Sequence, residues 1–429
     1  MASIVHYSHV LQAFDMNESA TETSGDNLAG AIDDISPGDD ARLRAWVNDG
    51  VRGLRDLEVP HADVMATAED DDAALAVALL QSFIAEMAES DHTGGRLVPS
   101  GVTGDEVKFD EQDWKGWAGL ALPWLKGKLS KRDFLAPPAE PDVLPNDAKV
   151  AILGDWGTGL YGAPACARAV AASDVDLVVH VGDVYYSGTR KEVRQNFLEH
   201  WAVPDGAVSR ACNSNHEMYS GGEGYFDLTL PAFEQDSSVW ACANDDYLLI
   251  GLDTAYNDFD LAAGQAEWLA SFLHTHQDNR KVILFSHHQL YSLLSKQGSK
   301  LQDDLRQLLD ERRLFAWYWG HEHRLVLYDR HDSWGLHGRC AGHSGYPYFR
   351  DQFGQEPSDP LPGGNRLVHL PATSKSPAGL VLDGPNPFVP GREKDYGANG
   401  WLAVELQPSQ VVERAMDPHG AELYRQTIE

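Results

Sequence analysis

Cysteine is scarce in this chain of 429 residues: Cys166, Cys212, Cys242 and Cys340 stand far apart, with no CxxC pair. That argues against a disulfide framework and a thiolate zinc cage, and leaves four buried free thiols as the expectation. Basic residues are scarce too. Lys and Arg number 34 against 65 Asp and Glu, a formal charge of −31, which repels a nucleic-acid backbone and disfavours nonspecific DNA or RNA binding. The chain also lacks any run of roughly 18 apolar residues, the length a membrane-spanning helix needs. The opening MASIVHYSHVLQAFDMNESA has neither the basic end nor the apolar stretch of a signal peptide. A cytoplasmic protein without a membrane span is the expectation.

What is present is core material. A hydrophobic fraction of 43% supports a folded chain, and the length calls for two domains. Residues 1–145 hold 27 acidic and 11 basic residues, half of the charge imbalance in a third of the chain. Apolar residues there recur at helical spacing, as in Leu43, Trp46, Val47, Val51, Leu54 and Leu57, and again from Asp72 to Glu89. A mainly helical N-terminal accessory domain, suited to oligomerisation or partner docking, is expected over 1–145. The Pro-rich APPAEPDVLPNDA (136–148) reads as a stiff linker at its end.

From residue 146 to 429, strand-like runs alternate with helical ones: KVAILGD, LVVHVGD, YLLIGLD, KVILFSH and LFAWYWGH are the apolar runs. Such alternation predicts an α/β domain whose site lies where strands end. Five short strings stand at those ends: GDWG (154–157), GDVYY (182–186), SNHE (214–217), SHH (286–288) and GHEH (320–323). Carboxylate, amide oxygen, phenolate and imidazole are the donor set of divalent and trivalent transition metals. An isolated HxH such as His274 with His276 carries little weight. The ordered set of five does. His288 reads either as a group behind the ligands or as an ordinary surface histidine, with the second favoured, Glu217 receives no chemical role, and the Pro- and Gly-rich 351–399 reads as a long loop forming a lid or specificity wall.

In order and content the five strings resemble the calcineurin-like metallophosphoesterase superfamily, and specifically its purple acid phosphatase-like branch. The wider superfamily has Asp-x-His in the first string, where this chain has Gly157; the branch replaces that ligand with the tyrosine of GDxxY, and the register selects Tyr186 over its neighbour Tyr185. The resemblance implies a four-layer α/β/β/α sandwich. It implies two metal ions, one held by Asp155, Asp183, Tyr186 and His323, the other by Asn215, His287 and His321, with Asp183 bridging. Phenolate favours a trivalent ion, so Fe(III) is implied in the Tyr186 site and Fe(II), Zn(II) or Mn(II) in the second. His216 resembles the histidine that contacts the phosphate and assists the leaving group, which places it in a catalytic role. The third string has Ser214 where glycine is usual, and the fourth continues with Gln289 where proline is common.

The implied reaction is hydrolysis of a small phosphorylated substrate by a metal-activated water, as a phosphomonoesterase. A phosphodiesterase acting on nucleotides or other diesters is the alternative, since the same clamp serves both. A non-catalytic metal-binding regulatory protein is the third reading.

Overall fold

The computed structural model describes residues 131–429, apart from 263, 352 and 355, and all of them fall in one unit. The helices expected between 39 and 89 lie outside the described residues. Among the described residues sixteen strands are present in chain order. They are β1 (Asp142–Val143), β2 (Lys149–Leu153), β3 (Leu177–His180), β4 (Val208–Ala211), β5 (Trp240–Ala243), β6 (Tyr247–Gly251), β7 (Lys281–Ser286) and β8 (Leu314–Trp319). After them come β9 (Leu325–Tyr328), β10 (His337–Ala341), β11 (Ser358–Pro360), β12 (Arg366–Leu370), β13 (Gly379–Asp383), β14 (Trp401–Leu406), β15 (Val411–Met416) and β16 (Glu422–Ile428). They form two sheets, a ten-stranded one in the order β1-β5-β6-β7-β8-β10-β9-β13-β12-β11 and a six-stranded one in the order β16-β15-β14-β2-β3-β4.

The side-chain alternation of a strand explains the layering. In β2, Val150 and Ile152 point into a core shared with Leu249, Ile283 and Phe285 of the other sheet. Ala151 and Leu153 point the opposite way, onto Ala163, Cys166 and Val170 of helix α1 (Ala163–Ala171). The outer face of the larger sheet, with Leu248, Ile250 and Leu284, is covered by Leu269, Phe272 and Leu273 of helix α2 (Gln265–His276). Three apolar layers therefore separate four structural ones, and the α/β/β/α sandwich is present. The four cysteines are free and buried. Arg339 and Glu413 form a buried ion pair between the two sheets at 2.9 Å, and Tyr318 donates to the same carboxylate at 2.6 Å.

Two stretches behave differently from their sequence reading. The Pro-rich run read as linker is fastened to the body: β1 pairs with β5, the Trp268 indole donates to the Pro138 carbonyl at 3.0 Å, and Arg210 meets Asp142 at 2.6 Å. The run 351–399 is not a bare loop either. Its short apolar pieces LVHL and GLVLD build β12 and β13, which extend the large sheet beyond β9, because each piece is flanked by Pro and Gly that end it after a few residues. The C-terminal hairpin expected around 417–420 is formed by β15 and β16. Among the described residues no helix is long and apolar enough to cross a membrane.

Candidate metal centre

Each candidate residue sits just past the carboxyl end of a strand. Asp155 follows β2, Asp183 follows β3, Asn215 and His216 follow β4, His287 follows β7, and His321 and His323 follow β8. The first four residues come from the small sheet and the last three from the large one, so the donors meet where the two sheets face each other. Asp155, Asp183, His321 and His323 have φ of 52°, 80°, 69° and 54°. A left-handed non-glycine costs roughly 1–3 kcal/mol, and such strain collects at functional sites. Gly182 (φ 99°) is required by close approach as well: a Cβ there would lie 2.6 Å from His287 Nδ1.

One group of donors gathers around a phenol. The Tyr185 hydroxyl lies 2.8 Å from Asp183 Oδ2, 3.2 Å from His323 Nε2 and 3.4 Å from Asp155 Oδ1. His323 Nε2 is 3.5 Å from Asp155 Oδ1 and 3.8 Å from Asp183 Oδ2. The register read from GDxxY selects Tyr186, whereas the hydroxyl that the structure brings to this group is that of Tyr185. Tyr185 is the fully buried member of the pair, and Tyr186 is half-buried. Its amide donates to Glu192 Oε1 at 2.6 Å and its carbonyl accepts from His216 Nδ1 at 2.5 Å. The pattern selects the tyrosine three residues after Asp183, which is Tyr186, and carries no information on which of the two adjacent phenols turns inward.

The second group is built of acceptors. His287 Nε2 lies 2.8 Å from Asn215 Oδ1, 3.1 Å from His321 Nδ1 and 3.3 Å from Asp183 Oδ1. The other ring nitrogen of His287 faces the Val181 carbonyl at 2.9 Å, which can only accept, so the proton is on Nδ1 and Nε2 presents a lone pair. The Asn215 amide nitrogen donates to the Tyr219 hydroxyl at 2.9 Å, which aims its oxygen inward. Asp183 Oδ1 is buried without a hydrogen-bond partner. Lone pairs facing one another in a buried pocket call for a cation. Asp155, Asp183 and His287 form one group able to hold a metal ion, and His287, His288 and His321 another.

Electrostatics agree. Burial and the adjacent Asp183 charge push the Asp155 carboxyl well above its usual range. Burial lowers His287, His321 and His323, the last to about 4, so the imidazoles stay neutral and able to ligate. Asp183 is held low: burial opposes its charge, but His216 and His287 outweigh it. His216 turns its Nε2 toward Asp183 Oδ2 at 3.8 Å, with its ring between Tyr185 and Tyr219.

Ser214 is well placed despite displacing glycine. Its backbone is extended (φ −132°) and its hydroxyl caps the turn Asn215–Met218, accepting from the His216 amide at 3.1 Å, as a serine N-cap does. Glu217, left without a role above, accepts from the Ser214 hydroxyl and from the Val184 amide, tying the third loop to the second. Burial raises it to about 8. His288 is fully buried rather than on the surface. Its Nδ1 lies 3.1 Å from the Thr254 hydroxyl, its ring packs on Phe259 at 3.8 Å and on His321 at 4.8 Å, and Asp258 lies 3.5 Å from its Nε2. Phe259 and Tyr346 had no signal in the metal strings. Tyr346 stacks on His323 at 3.8 Å, so the segment GHSGYPYFR walls the Tyr185 side. His274 and His276 end helix α2, outside the cluster.

Residues 148–325 match the model of the calcineurin-like phosphoesterase family. Among solved structures, the purple acid phosphatase PPD1 from yellow lupin (Lupinus luteus) seeds is similar at 15% identity and a TM-score of 0.48, over 69% of this chain and 55% of that one. The chain thus spans little more than half of the lupin protein. GAP50, the anchor in the inner membrane complex of Plasmodium, is similar at 14% identity and a TM-score of 0.47, over 66% of this chain and 89% of that one. No curated protein matches the sequence.

Proposed function

We propose that this protein is a dinuclear metal-dependent phosphomonoesterase of the purple acid phosphatase-like branch, acting on a small phosphorylated substrate. One observation carries the reading: Asp183 stands between two donor groups, Oδ2 facing Tyr185 and His323, Oδ1 facing His287, with no hydrogen-bond donor on Oδ1. Asp155, Asp183, Tyr185 and His323 would hold one ion, and Asn215, His287 and His321 the other, with Asp183 shared. The phenolate makes a trivalent ion such as Fe(III) the suited occupant of the first position, and the nitrogen-rich second suits Fe(II), Zn(II) or Mn(II). When bound, the ions supply positive charge for the phosphate oxygens and acidify a water.

The chain's own residues do the rest. The Tyr186 carbonyl can only accept, so His216 Nδ1 carries its proton there and Nε2 is the nitrogen turned toward Asp183 and the site. From there it donates to the departing alkoxide, which leaves poorly without protonation. Tyr219, edge-on to the imidazole at 4.9 Å, and Tyr185 keep the ring in that orientation. No protein nucleophile is required. The test is a paired rate measurement on an aryl phosphomonoester and an aryl phosphodiester, with metal content determined on the same sample. Faster monoester cleavage is expected; faster diester cleavage would replace the reading with a phosphodiesterase, and metal-replete protein inert on both would make it a metal-binding regulatory protein.

A further inference from the structure

The wall of the second donor group carries a feature that the hydrolytic chemistry does not use. The turn after β6 closes on itself through an Asn257–Asp260 bridge and forces Phe259 to a φ of 53°. This places the phenyl ring against His288 at 3.8 Å and edge-on to His321 at 5.1 Å. A bulky residue held in the left-handed region is retained where the surrounding structure fixes it, and such positions cluster at ligand clamps. On the ring lies the Lys296 ammonium group, 3.6 Å from the centroid. Those separations put a cation one side-chain layer away from His321, and its charge reaches both His288 and His321.

Lys296 is exposed, but the backbone that carries it is anchored. Its carbonyl accepts from the Gln289 side chain at 2.9 Å, and the next residue, Gln297, donates to the Ser292 carbonyl at 2.6 Å, so the loop that carries it is tied down on both sides. Gln289, the departure in the fourth string, thereby acquires a purpose. Among the described residues no carboxylate forms an ion pair with Lys296, although the chain holds 65 acidic residues. Other cations are committed elsewhere: Lys300 faces Asp260 at 3.9 Å, Arg324 grips Asp351 with its second nitrogen at 2.9 Å, and Arg350 grips Asp383 at 2.7 Å.

We propose that Lys296, propped on Phe259, is an anion subsite beside the second metal position, which takes a second negatively charged group, carboxylate or phosphate, of the phosphomonoester substrate. The proposal rests on the functional reading above for the position of the scissile phosphate. It names the substrate class: a phosphomonoester whose far end is anionic, one short spacer from the phosphorus. The aromatic face below the ammonium group lowers the entropy lost when the lysine engages, because the cation is already held over the ring.

The experiment compares phenyl phosphate with 4-carboxyphenyl phosphate and 1,4-phenylene bisphosphate on the metal-loaded full chain, as wild type, Lys296→Met and Lys296→Arg. The same comparison is made by calorimetric binding of benzylphosphonate and 4-carboxybenzylphosphonate, which need no turnover. For an exposed charge pair, Lys296→Met is expected to raise KM for the doubly anionic substrates about fivefold and to leave phenyl phosphate within about twofold, at unchanged metal content. Lys296→Arg should restore the preference. A preference for the bisphosphate alone would assign the subsite to phosphate, and for both to anions in general. Equal affinity of the two phosphonates in wild type, or the same ratio in Lys296→Met, would overturn the subsite. If the phosphonates discriminate but no ester is cleaved, the subsite stands and the phosphatase reading falls.

Discussion

Replacing the Tyr185 hydroxyl by hydrogen is the sharpest single perturbation of this site. Tyr185→Phe keeps the ring and its contacts with His216 at 4.7 Å and Tyr346 at 4.9 Å, and deletes one oxygen that sits 2.8 Å from Asp183 Oδ2. In the metal-free protein that oxygen is a hydrogen-bond donor to an ionised carboxylate, a bond worth about 1.5–3 kcal/mol. Urea unfolding in chelator should therefore show a loss of that size. After loading with ferric iron, wild type should absorb in the visible through phenolate-to-iron charge transfer, Tyr185→Phe should be colourless, and Tyr186→Phe should keep its colour. The opposite pair of spectra, colour lost with Tyr186 and kept with Tyr185, would refute the placement of the phenol and restore the register read from GDxxY.

Three further outcomes are expected. Asn215→Ala should lower occupancy of the second position, measured by metal analysis, while His216→Ala should retain both ions and slow hydrolysis by about 10²–10⁴-fold, the usual range for a positioned acid; equal metal loss in both variants would contradict separate roles. Metal-free protein should lose stability as pH falls from about 6.5 to about 4, since burial holds His180 and His343 at about 3 and His323 and His337 at about 4 and also lowers His287, His288 and His321, and these histidines outnumber the buried Asp155, Asp253, Glu217 and Glu322, whose raised carboxyls act in the opposite sense. A urea midpoint independent of pH across that window would contradict it. Arg339→Met, which strands Glu413 between the sheets, should cost about 3–5 kcal/mol, and adding Glu413→Leu should recover much of it; a double variant no better than the single would show that the pair itself, not the orphaned charge, sets the penalty.

The five donor strings were legible because metal chemistry restricts residue type and the strand-end position restricts place. Asp155, Asp183, Asn215, His287, His321 and His323 converge as the order of strings implies. What sequence spacing does not hold is the choice between neighbours. Tyr185 and Tyr186 differ only in which way the backbone turns them, and His288 differs from a surface histidine only by what Thr254 and Phe259 place around it, some 30 residues upstream. Ser214 shows the converse. This departure from the pattern is neutral because the extended conformation suits serine and the N-cap uses its hydroxyl. The extension of the large sheet by β12 and β13 was hidden for a different reason: strands of five residues between prolines and glycines have too few alternations to stand out from a loop.

The same geometry that identifies the centre also shows what it does to folding. Four donors lie in the left-handed region, at roughly 1–3 kcal/mol each, and two carboxylates are buried against one another with Asp155 pushed toward its neutral form. None of this assists folding by itself, and a chain of marginal stability retains it only where something in the native state returns the free energy. The sheets supply part of that return, since each strained residue follows a strand buried on both faces, whose register cannot slip without exposing the core. A cation bound there would supply the rest by linkage, because it would stabilise only the state in which the donors are already gathered. Strain in the loops and rigidity in the strands are therefore two halves of one arrangement: the apolar layers between the sheets hold acceptors closer together than they would stay alone, and that enforced proximity is what a positively charged occupant relieves.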